Sequence, residues 1–184
     1  MKGKKMIYLF LANGFEEVEA LCPYDLLLRA GADVKTVSIG EGLEVTGTHG
    51  VRIRADMNID DITEDAEMVV LPGGMPGASN LDASEKVDVI LRQTYDAGKF
   101  VAAICAAPMV LGKRGMLKGK RATCFPGFEQ YLDGAVCTGN HTETDGNVIT
   151  AKGMGAAFDF GLALIRALYG NCKAREIKEK TMAD

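Results

Sequence analysis

The sequence predicts an α/β sandwich in which helices cover both faces of a mostly parallel sheet. Short apolar runs rich in branched residues alternate along the chain with helical patterns, which is typical of successive βαβ units. The runs Met68–Leu71 and Phe100–Ile104 contain no alternating polar residues, as strands buried on both faces require. A length of 184 residues fits a single domain over residues 1–184.

The first part of the chain predicts two strands, a helix and a hairpin. MIYLFLA, residues 6–12, predicts the first strand, EEVEALCPYDLLLRAG the first helix, and DVKTVSIG the second strand. In LEVTGTHGVRIRADM, residues 43–57, polar and apolar residues alternate on both sides of a glycine-containing turn, which indicates a hairpin. We expect this hairpin to be an insertion at the edge of the sheet.

The second part of the chain continues the same alternation. Strands are predicted in EMVVLPGG and KFVAAI, with the helix SEKVDVILRQTYDAG between them. NVITAKGMGAAFDFGLALIRALYG predicts one more strand and a long helix that ends at Gly170, and CKAREIKEKTMAD predicts a charged terminal helix. No internal repeat or linker interrupts this pattern, so one domain is the simplest organisation.

Composition and charge argue against several classes of function. The net charge is −4 and the lysines and arginines are scattered, so no basic stripe for nucleic acid is present. No apolar stretch is long enough to cross a membrane, and the short run after the basic start lacks the cleavage site of a signal peptide. We therefore expect a cytoplasmic protein with no nucleic-acid or membrane partner.

The five cysteines show none of the spacings of a metal site, and the chain is too large to need disulfides. We expect reduced thiols, no metal and no cofactor. Cys105 differs from the others because it ends a predicted strand and precedes Pro108, which fits the first turn of a helix. Ligands bind at such strand ends in open α/β sheets.

A thiol at this junction would face unpaired backbone N–H groups, which stabilise a thiolate. The small side chain of Ala106 would leave its amide open to a developing oxyanion. Position alone is equally consistent with a reactive and with a merely buried Cys105.

A second strand end lies in VVLPGGMPGASN, where Gly73 and Gly74 would allow the backbone to approach a ligand closely. The alternative is a tight turn that only ends the strand. The spacing of these glycines is not that of a dinucleotide fingerprint, and GMGAAF, residues 153–158, has phenylalanine where that fingerprint has its third glycine.

The third segment is NGFEEVEA, at the start of the first helix. Asn13 and Glu16 have the spacing of a capping box, and Glu17 is expected to face solvent. Glu19 instead shares a stripe with apolar or small residues such as Pro23. Burial there would raise its pKa and keep a proton available to a thiolate, although a structural hydrogen bond is the commoner explanation of a buried carboxyl.

NGFEEVEA, VVLPGG and VAAICAAP together resemble the DJ-one/ThiJ/PfpI family, and TAKGMGAAFDFGLALI is similar to that family's last strand and helix. The resemblance implies a flavodoxin-like three-layer sandwich, usually a homodimer, with Cys105 at a nucleophile elbow. It further implies that Glu19 hydrogen-bonds to Cys105 and that Gly73, Gly74 and Ala106 form the oxyanion-hole region.

Members of this branch are described as glutathione-independent glyoxalases, as deglycases, and as oxidative-stress sensors or chaperones. The implied enzyme mechanism is attack of the Cys105 thiolate on an aldehyde, followed by proton transfer through Glu19 and release of a hydroxy acid by water. A sensor would instead oxidise Cys105 to a sulfinate that Glu19 stabilises. A third possibility, an FMN-binding module on a similar fold, would give a coloured protein.

Four positions depart from the family or depend on its dimer. Protease-like members have histidine where this chain has Ala106, which argues against a peptidase, and some members have histidine where this chain has Phe125. His49 lies where relatives often have arginine near the dimer contact, and Arg29 resembles another dimer-interface position. His141 lies in a turn-rich stretch and is expected at the surface.

Overall fold

The computed structural model describes residues 6–183, so residues 1–5 and Asp184 lie outside the described part. The described residues form eleven strands: β1 (Met6–Leu11), β2 (Asp33–Ser38), β3 (Glu44–Thr46), β4 (Arg52–Arg54), β5 (Met57–Asn58), β6 (Met68–Leu71), β7 (Phe100–Ile104), β8 (Arg121–Ala122), β9 (Val136–Cys137), β10 (Thr142–Asp145) and β11 (Val148–Ala151). They also form six α-helices: α1 (Glu17–Arg29), α2 (Gly77–Ala83), α3 (Glu85–Asp96), α4 (Pro108–Lys113), α5 (Ala157–Tyr169) and α6 (Asn171–Lys180).

Seven of these strands form the central sheet, in the order β10-β11-β7-β6-β1-β2-β5. Every neighbouring pair is parallel except β10 with β11. The strands β1, β6 and β7 in the middle of the sheet are almost completely buried, as their uninterrupted apolar sequences predict. The predicted flavodoxin-like sandwich with a mostly parallel sheet is confirmed.

Apolar clusters lie on both faces of the sheet. One cluster is built mainly from α1 and α5, and the other from α2, α3 and α4. Each fully buried leucine, isoleucine or phenylalanine contributes about 1.5–3 kcal/mol through removal from water. Gly161 of α5 lets α1 come close, because a Cβ at this glycine would lie 2.5 Å from Cδ1 of Leu26. This close packing of α5 on α1 helps to fix the position of α1 above the sheet.

The predicted hairpin is present as the antiparallel pair β3 and β4. It forms a separate two-stranded sheet, and the edge of the central sheet is instead occupied by β5, which pairs with β2. The hairpin contacts the segment before α1, where Thr48 donates its amide to the carbonyl oxygen of Phe15 over 2.8 Å. The hairpin therefore lies against the start of α1.

The middle strands bring three chain segments to one edge of the sheet. β6 and β7 run parallel with Leu71 opposite Ala103, so Pro72 and Cys105 leave the sheet on the same side. β1 is parallel to β6 and delivers the start of α1 to that side. No helix in residues 6–183 is long and apolar enough to span a bilayer.

Candidate active site

Cys105 occupies the turn between β7 and α4 with a φ of +66°. In the described residues, only Cys105 and Met182 combine a side chain with a positive φ, which is a strained conformation for such residues. The backbone of Cys105 is held on both sides, because its amide donates to Ala151 over 2.9 Å and its carbonyl accepts from Phe125 over 2.8 Å. The thiol is half-buried. A strained side chain held at a strand end has the form of a nucleophile elbow.

Glu19 is the carboxyl that faces this thiol. The residue is 1% exposed, and its side chain hydrogen-bonds to the Cys105 thiol. Its Oε2 also accepts the amide of Gly73 over 3.0 Å. Burial raises the pKa of Glu19 to about 7, and these two hydrogen bonds oppose the rise. Near neutral pH this carboxyl can therefore either hold or accept a proton.

The charge state of Cys105 depends on Glu19. Burial and the facing carboxylate raise the pKa of the Cys105 thiol to about 12, whereas the backbone amides of Ala106 and Gly74 act in the opposite direction. Once the proton lies on Glu19, the opposing charge is gone and the two amides favour a thiolate. Between these two pKa values the pair carries one negative charge, which lies on Glu19 unless the thiol proton moves to that carboxylate.

The family resemblance predicts that Gly73 forms the oxyanion-hole region together with Gly74 and Ala106. In the structure, the Gly73 amide donates a hydrogen bond to Glu19. There is also no space for a side chain at position 73. A Cβ there would lie 2.5 Å from Oε2 of Glu19 and 2.7 Å from Cβ of Cys105. The absence of a side chain at this position lets the acid and the thiol meet.

We expect Gly73→Ala to destabilise the fold by about 1–3 kcal/mol, because the methyl group must push Glu19 and Cys105 apart. The measurement is urea unfolding. Gly40→Ala is the matched control, because a Cβ at Gly40 meets nothing within 4 Å. Equal stability of the two variants would contradict this description of the site.

The start of α1 differs from the prediction. The helix is capped by Glu16, whose carboxylate accepts the Glu19 amide over 2.7 Å. Asn13 does not form the predicted capping box, because its Oδ1 accepts the amide of Thr46 in the hairpin over 2.9 Å. The cap held by Glu16 fixes the first turn of the helix and, with it, the direction of the Glu19 side chain.

Glu17 was expected in solvent, and this prediction is wrong. The carboxylate is buried under the hairpin turn and accepts the amide of His49 over 2.7 Å and the hydroxyl of Thr48 over 3.1 Å. Burial opposes ionisation of Glu17, but hydrogen bonds from His49 and Thr48 outweigh it and lower the pKa of Glu17 to about 2. Glu17 therefore ties α1 to the hairpin as a carboxylate.

The structure does not bring either histidine to the thiol. His49 is exposed, with Nδ1 2.8 Å from Oε2 of Glu17, and His141 is exposed with Nδ1 3.5 Å from Oδ2 of Asp159. The ligand atoms of Glu16, Glu17 and His49 lie within 4.8 Å of one another. Hydrogen bonds to the helix start and the hairpin already account for this grouping.

The remaining predicted positions lie around the site or away from it. Arg29 pairs with Asp25 over 2.6 Å at the exposed end of α1. Phe125 is half-exposed, and its backbone amide donates a hydrogen bond to the Cys105 carbonyl. Sequence reasoning missed this contact, and no signal in the sequence pairs residue 125 with residue 105.

The candidate site is therefore centred on Cys105, which lies in a strained turn at the end of β7 and is hydrogen-bonded to the buried Glu19. These features define the chain as an α/β protein of the flavodoxin-like class with a cysteine at its candidate site. The model of the DJ-1/PfpI family matches residues 5–167, and the chain belongs to this family. The motifs that resemble the family in the sequence all lie within the matched residues.

Individual relatives agree with this assignment. The chain is 35% identical over 176 residues to Protein DJ-1 homolog B of Arabidopsis thaliana, covering 94% of this chain but only 40% of that relative's length. It matches the crystal structure of a mutant of the DJ-1 superfamily protein STM1931 from Salmonella typhimurium with a TM-score of 0.93 and 34% identity, over 98% of this chain and 99% of the other.

An oxidized DJ-1 from Toxoplasma gondii is also similar, with a TM-score of 0.93 and 31% identity over 96% of this chain and 97% of the other. The chain thus spans less than half the length of its Arabidopsis relative and nearly all of the two solved proteins.

Proposed function

We propose that the protein is a cysteine-dependent glyoxalase that converts methylglyoxal and related 2-oxoaldehydes into 2-hydroxy acids without glutathione. One observation carries the proposal. Glu19, a buried carboxyl whose pKa is raised to about 7, is hydrogen-bonded to the strained Cys105. An acid with a pKa near the working pH is suited to take and return a proton during a reaction.

The first step joins the thiol to the aldehyde carbon. Glu19 takes the proton of the Cys105 thiol while sulfur attacks, and the carbonyl oxygen gains the negative charge. The amides of Gly74 and Ala106 face the sulfur, so they can donate hydrogen bonds to charge that develops beside it. Return of the proton to that oxygen gives a hemithioacetal and restores the Glu19 carboxylate.

The second step moves a proton between the two substrate carbons. The Glu19 carboxylate removes the proton of the former aldehyde carbon and gives it to the neighbouring carbon, while the hydroxyl proton passes from the oxygen of the first carbon to the oxygen of the second. Together these two transfers convert the hemithioacetal into a thioester of the hydroxy acid. Water then cleaves the thioester, releases lactate from methylglyoxal and restores the thiol. The net reaction adds one water molecule and needs no oxidant.

Early glycation adducts of the same aldehydes belong to the same proposed substrate class. Such adducts release free aldehyde reversibly, so removal of the aldehyde at Cys105 would also reverse the adduct. A peptidase is disfavoured, because Ala106 stands in the position where protease-like relatives carry a histidine.

The direct test is to incubate the purified protein with methylglyoxal in the absence of any added thiol and to count lactate molecules per chain. We expect many lactate molecules per chain and saturation with substrate. Lactate at the level of buffer, or no more than one molecule per chain, would reject the glyoxalase.

A second candidate is an oxidative-stress sensor that uses the same thiol. It is supported by the half-buried Cys105, the protonatable Glu19 beside it and the oxidized form of the Toxoplasma gondii relative. One equivalent of peroxide would convert the thiolate to a sulfenate, and a second would give a sulfinate, to which protonated Glu19 would donate a hydrogen bond.

A sensor predicts oxidation at Cys105 before the exposed Cys137 and Cys172. Peptide mass spectrometry after brief peroxide treatment should show about 32 Da added at Cys105, corresponding to two oxygen atoms. The sensor is rejected if the exposed cysteines oxidise first.

We further propose that the protein is a cytoplasmic homodimer. All five cysteines are unpaired thiols, which fits a reducing compartment. α1 exposes the apolar side chains of Val18, Leu21 and Leu28. Arg29 at the end of α1 and His49 in the adjoining hairpin are also exposed. An exposed apolar helix face of this kind supports self-association, which sedimentation equilibrium would detect as twice the chain mass.

A further inference from the structure

A second candidate binding site is the groove between α3 and the segment 59–66, which joins β5 to β6. The groove has a volume of about 820 Å³. This size is typical of sites for small organic ligands. It is therefore large enough to hold a ligand rather than only solvent.

Part of the lining of the groove is apolar. Ile62 from the connecting segment and Val89 and Ile90 from α3 line it, and Val89 is 52% exposed. The same helix buries a different side, with Val87 and Leu91, against the sheet. α3 thus presents a second apolar surface, towards the groove.

The lining of the groove also carries carboxylates that form no ion pair within residues 6–183, namely Glu64, Asp65 and Glu85. The two lysines that line the groove are already engaged, Lys86 with Asp60 and Lys99 with Glu67. These two ion pairs mark the two ends of the groove, with Glu85 at the end near Asp60 and with Glu64 and Asp65 towards the end near β6. A positive group at the end near β6 would meet the carboxylates of Glu64 and Asp65.

The groove shares no lining residue with the site around Cys105. It runs along α3 and the segment 59–66, which begins after β5 at the carboxyl edge of the sheet and ends before β6 at the amino edge. Five residues of β7 separate the amino edge from Cys105, roughly 16 Å at about 3.3 Å per residue. A ligand held at the end of the groove before β6 would not occupy the site around Cys105.

We propose that this groove binds a small organic cation with an apolar body, such as an alkyl or aryl amine. The apolar body covers Ile62, Val89 and Ile90, and the ammonium group lies against the carboxylates of Glu64 and Asp65. An anion with the same apolar body is repelled by those carboxylates. The proposal is independent of any activity at Cys105.

The test compares two probes that share one body and differ in charge, 4-phenylbutylamine and 4-phenylbutyrate. In ¹H–¹⁵N NMR titrations of the full chain, we expect the amine to shift amides of residues 59–66 and 85–97, with at least tenfold tighter binding than the carboxylate. The double variant Glu64→Gln and Asp65→Asn should weaken amine binding by fivefold or more. The matched control, Asp133→Asn with Glu179→Gln, removes two exposed carboxylates that do not line the groove and should change nothing.

Three results would overturn the proposal. Equal affinity for the two probes would show that charge plays no part, and shifts confined to other residues would place the amine elsewhere. The third concerns Lys2, Lys4 and Lys5, which precede β1 in the sequence. If their replacement by glutamine tightened amine binding tenfold, the groove would be assigned to the chain's own lysines rather than to an external ligand.

Discussion

Cys105→Ser should reduce lactate formation from methylglyoxal to the level of buffer, a loss of about a thousandfold or more. A serine hydroxyl fits the same space, but it gives up its proton far less readily than a thiol and is a much weaker nucleophile. Because only one atom changes, the strained turn at φ +66° should persist, and the unfolding transition should stay close to that of the wild type.

The control for this variant is Cys137→Ser. Cys137 is an exposed thiol on β9 with no place in the site, so its replacement should leave lactate formation unchanged. Both variants are assayed at equal concentrations of folded protein, judged by circular dichroism. Lactate from Cys105→Ser above a tenth of the wild-type amount would mean that another group carries the reaction.

Glu19→Gln should lower turnover by about a hundredfold to ten-thousandfold, because the amide cannot take a proton from the thiol or move one between the substrate carbons. The same change should make the protein more stable above neutral pH. The glutamine side chain would keep an oxygen that can accept the Gly73 amide but would have no charge to bury. Activity and stability are therefore expected to move in opposite directions in one variant.

The pH dependence follows from the direction of the shift. Burial raises the pKa of Glu19 from 4.5 to about 7, so the folded protein holds this proton more tightly than the unfolded chain does. Below pH 4.5 the carboxyl is largely protonated in both the folded and the unfolded state, so it does not lower the free energy of unfolding. As the pH rises towards 7, the buried carboxyl lowers the free energy of unfolding more and more, by about 3 kcal/mol at pH 7.

Urea unfolding at pH 5 and pH 8 measures this difference. The gain in free energy of unfolding for Glu19→Gln over the wild type should be larger at pH 8 than at pH 5. The control Glu179→Gln changes an exposed carboxylate on α6 and should show no such pH dependence. A gain in the free energy of unfolding that is equal at pH 5 and pH 8 would mean that burial does not raise the pKa of the Glu19 carboxyl.

The fold could be predicted from the sequence because its signals are local. Apolar runs such as Met68–Leu71 show buried parallel strands, and alternation around a glycine turn shows the β3–β4 hairpin. The positions of Cys105 and Glu19 follow from equally local patterns, a cysteine at the end of an apolar run and a carboxylate in an apolar helical stripe. Their catalytic roles stay predictions.

The remaining details depend on contacts between residues far apart in the chain. Asn13 does not cap α1 because Thr46, 33 positions later, takes its side chain. Glu17 is buried because the hairpin turn with His49 covers it, 32 positions away. Gly73 donates to Glu19 across 54 positions. No pattern within a single helix or strand contains these partners.

The cap formed by Glu16 has a consequence for how the chemistry could be gained or lost. Each residue of an α-helix turns the side-chain direction by about 100°, so the point at which α1 begins decides which glutamate meets the thiol. A deletion of Val18, between the cap and Glu19, would act on the helix as a frameshift acts on a gene. It would keep every glutamate in NGFEEVEA but turn Glu19 about 100° away from the thiol.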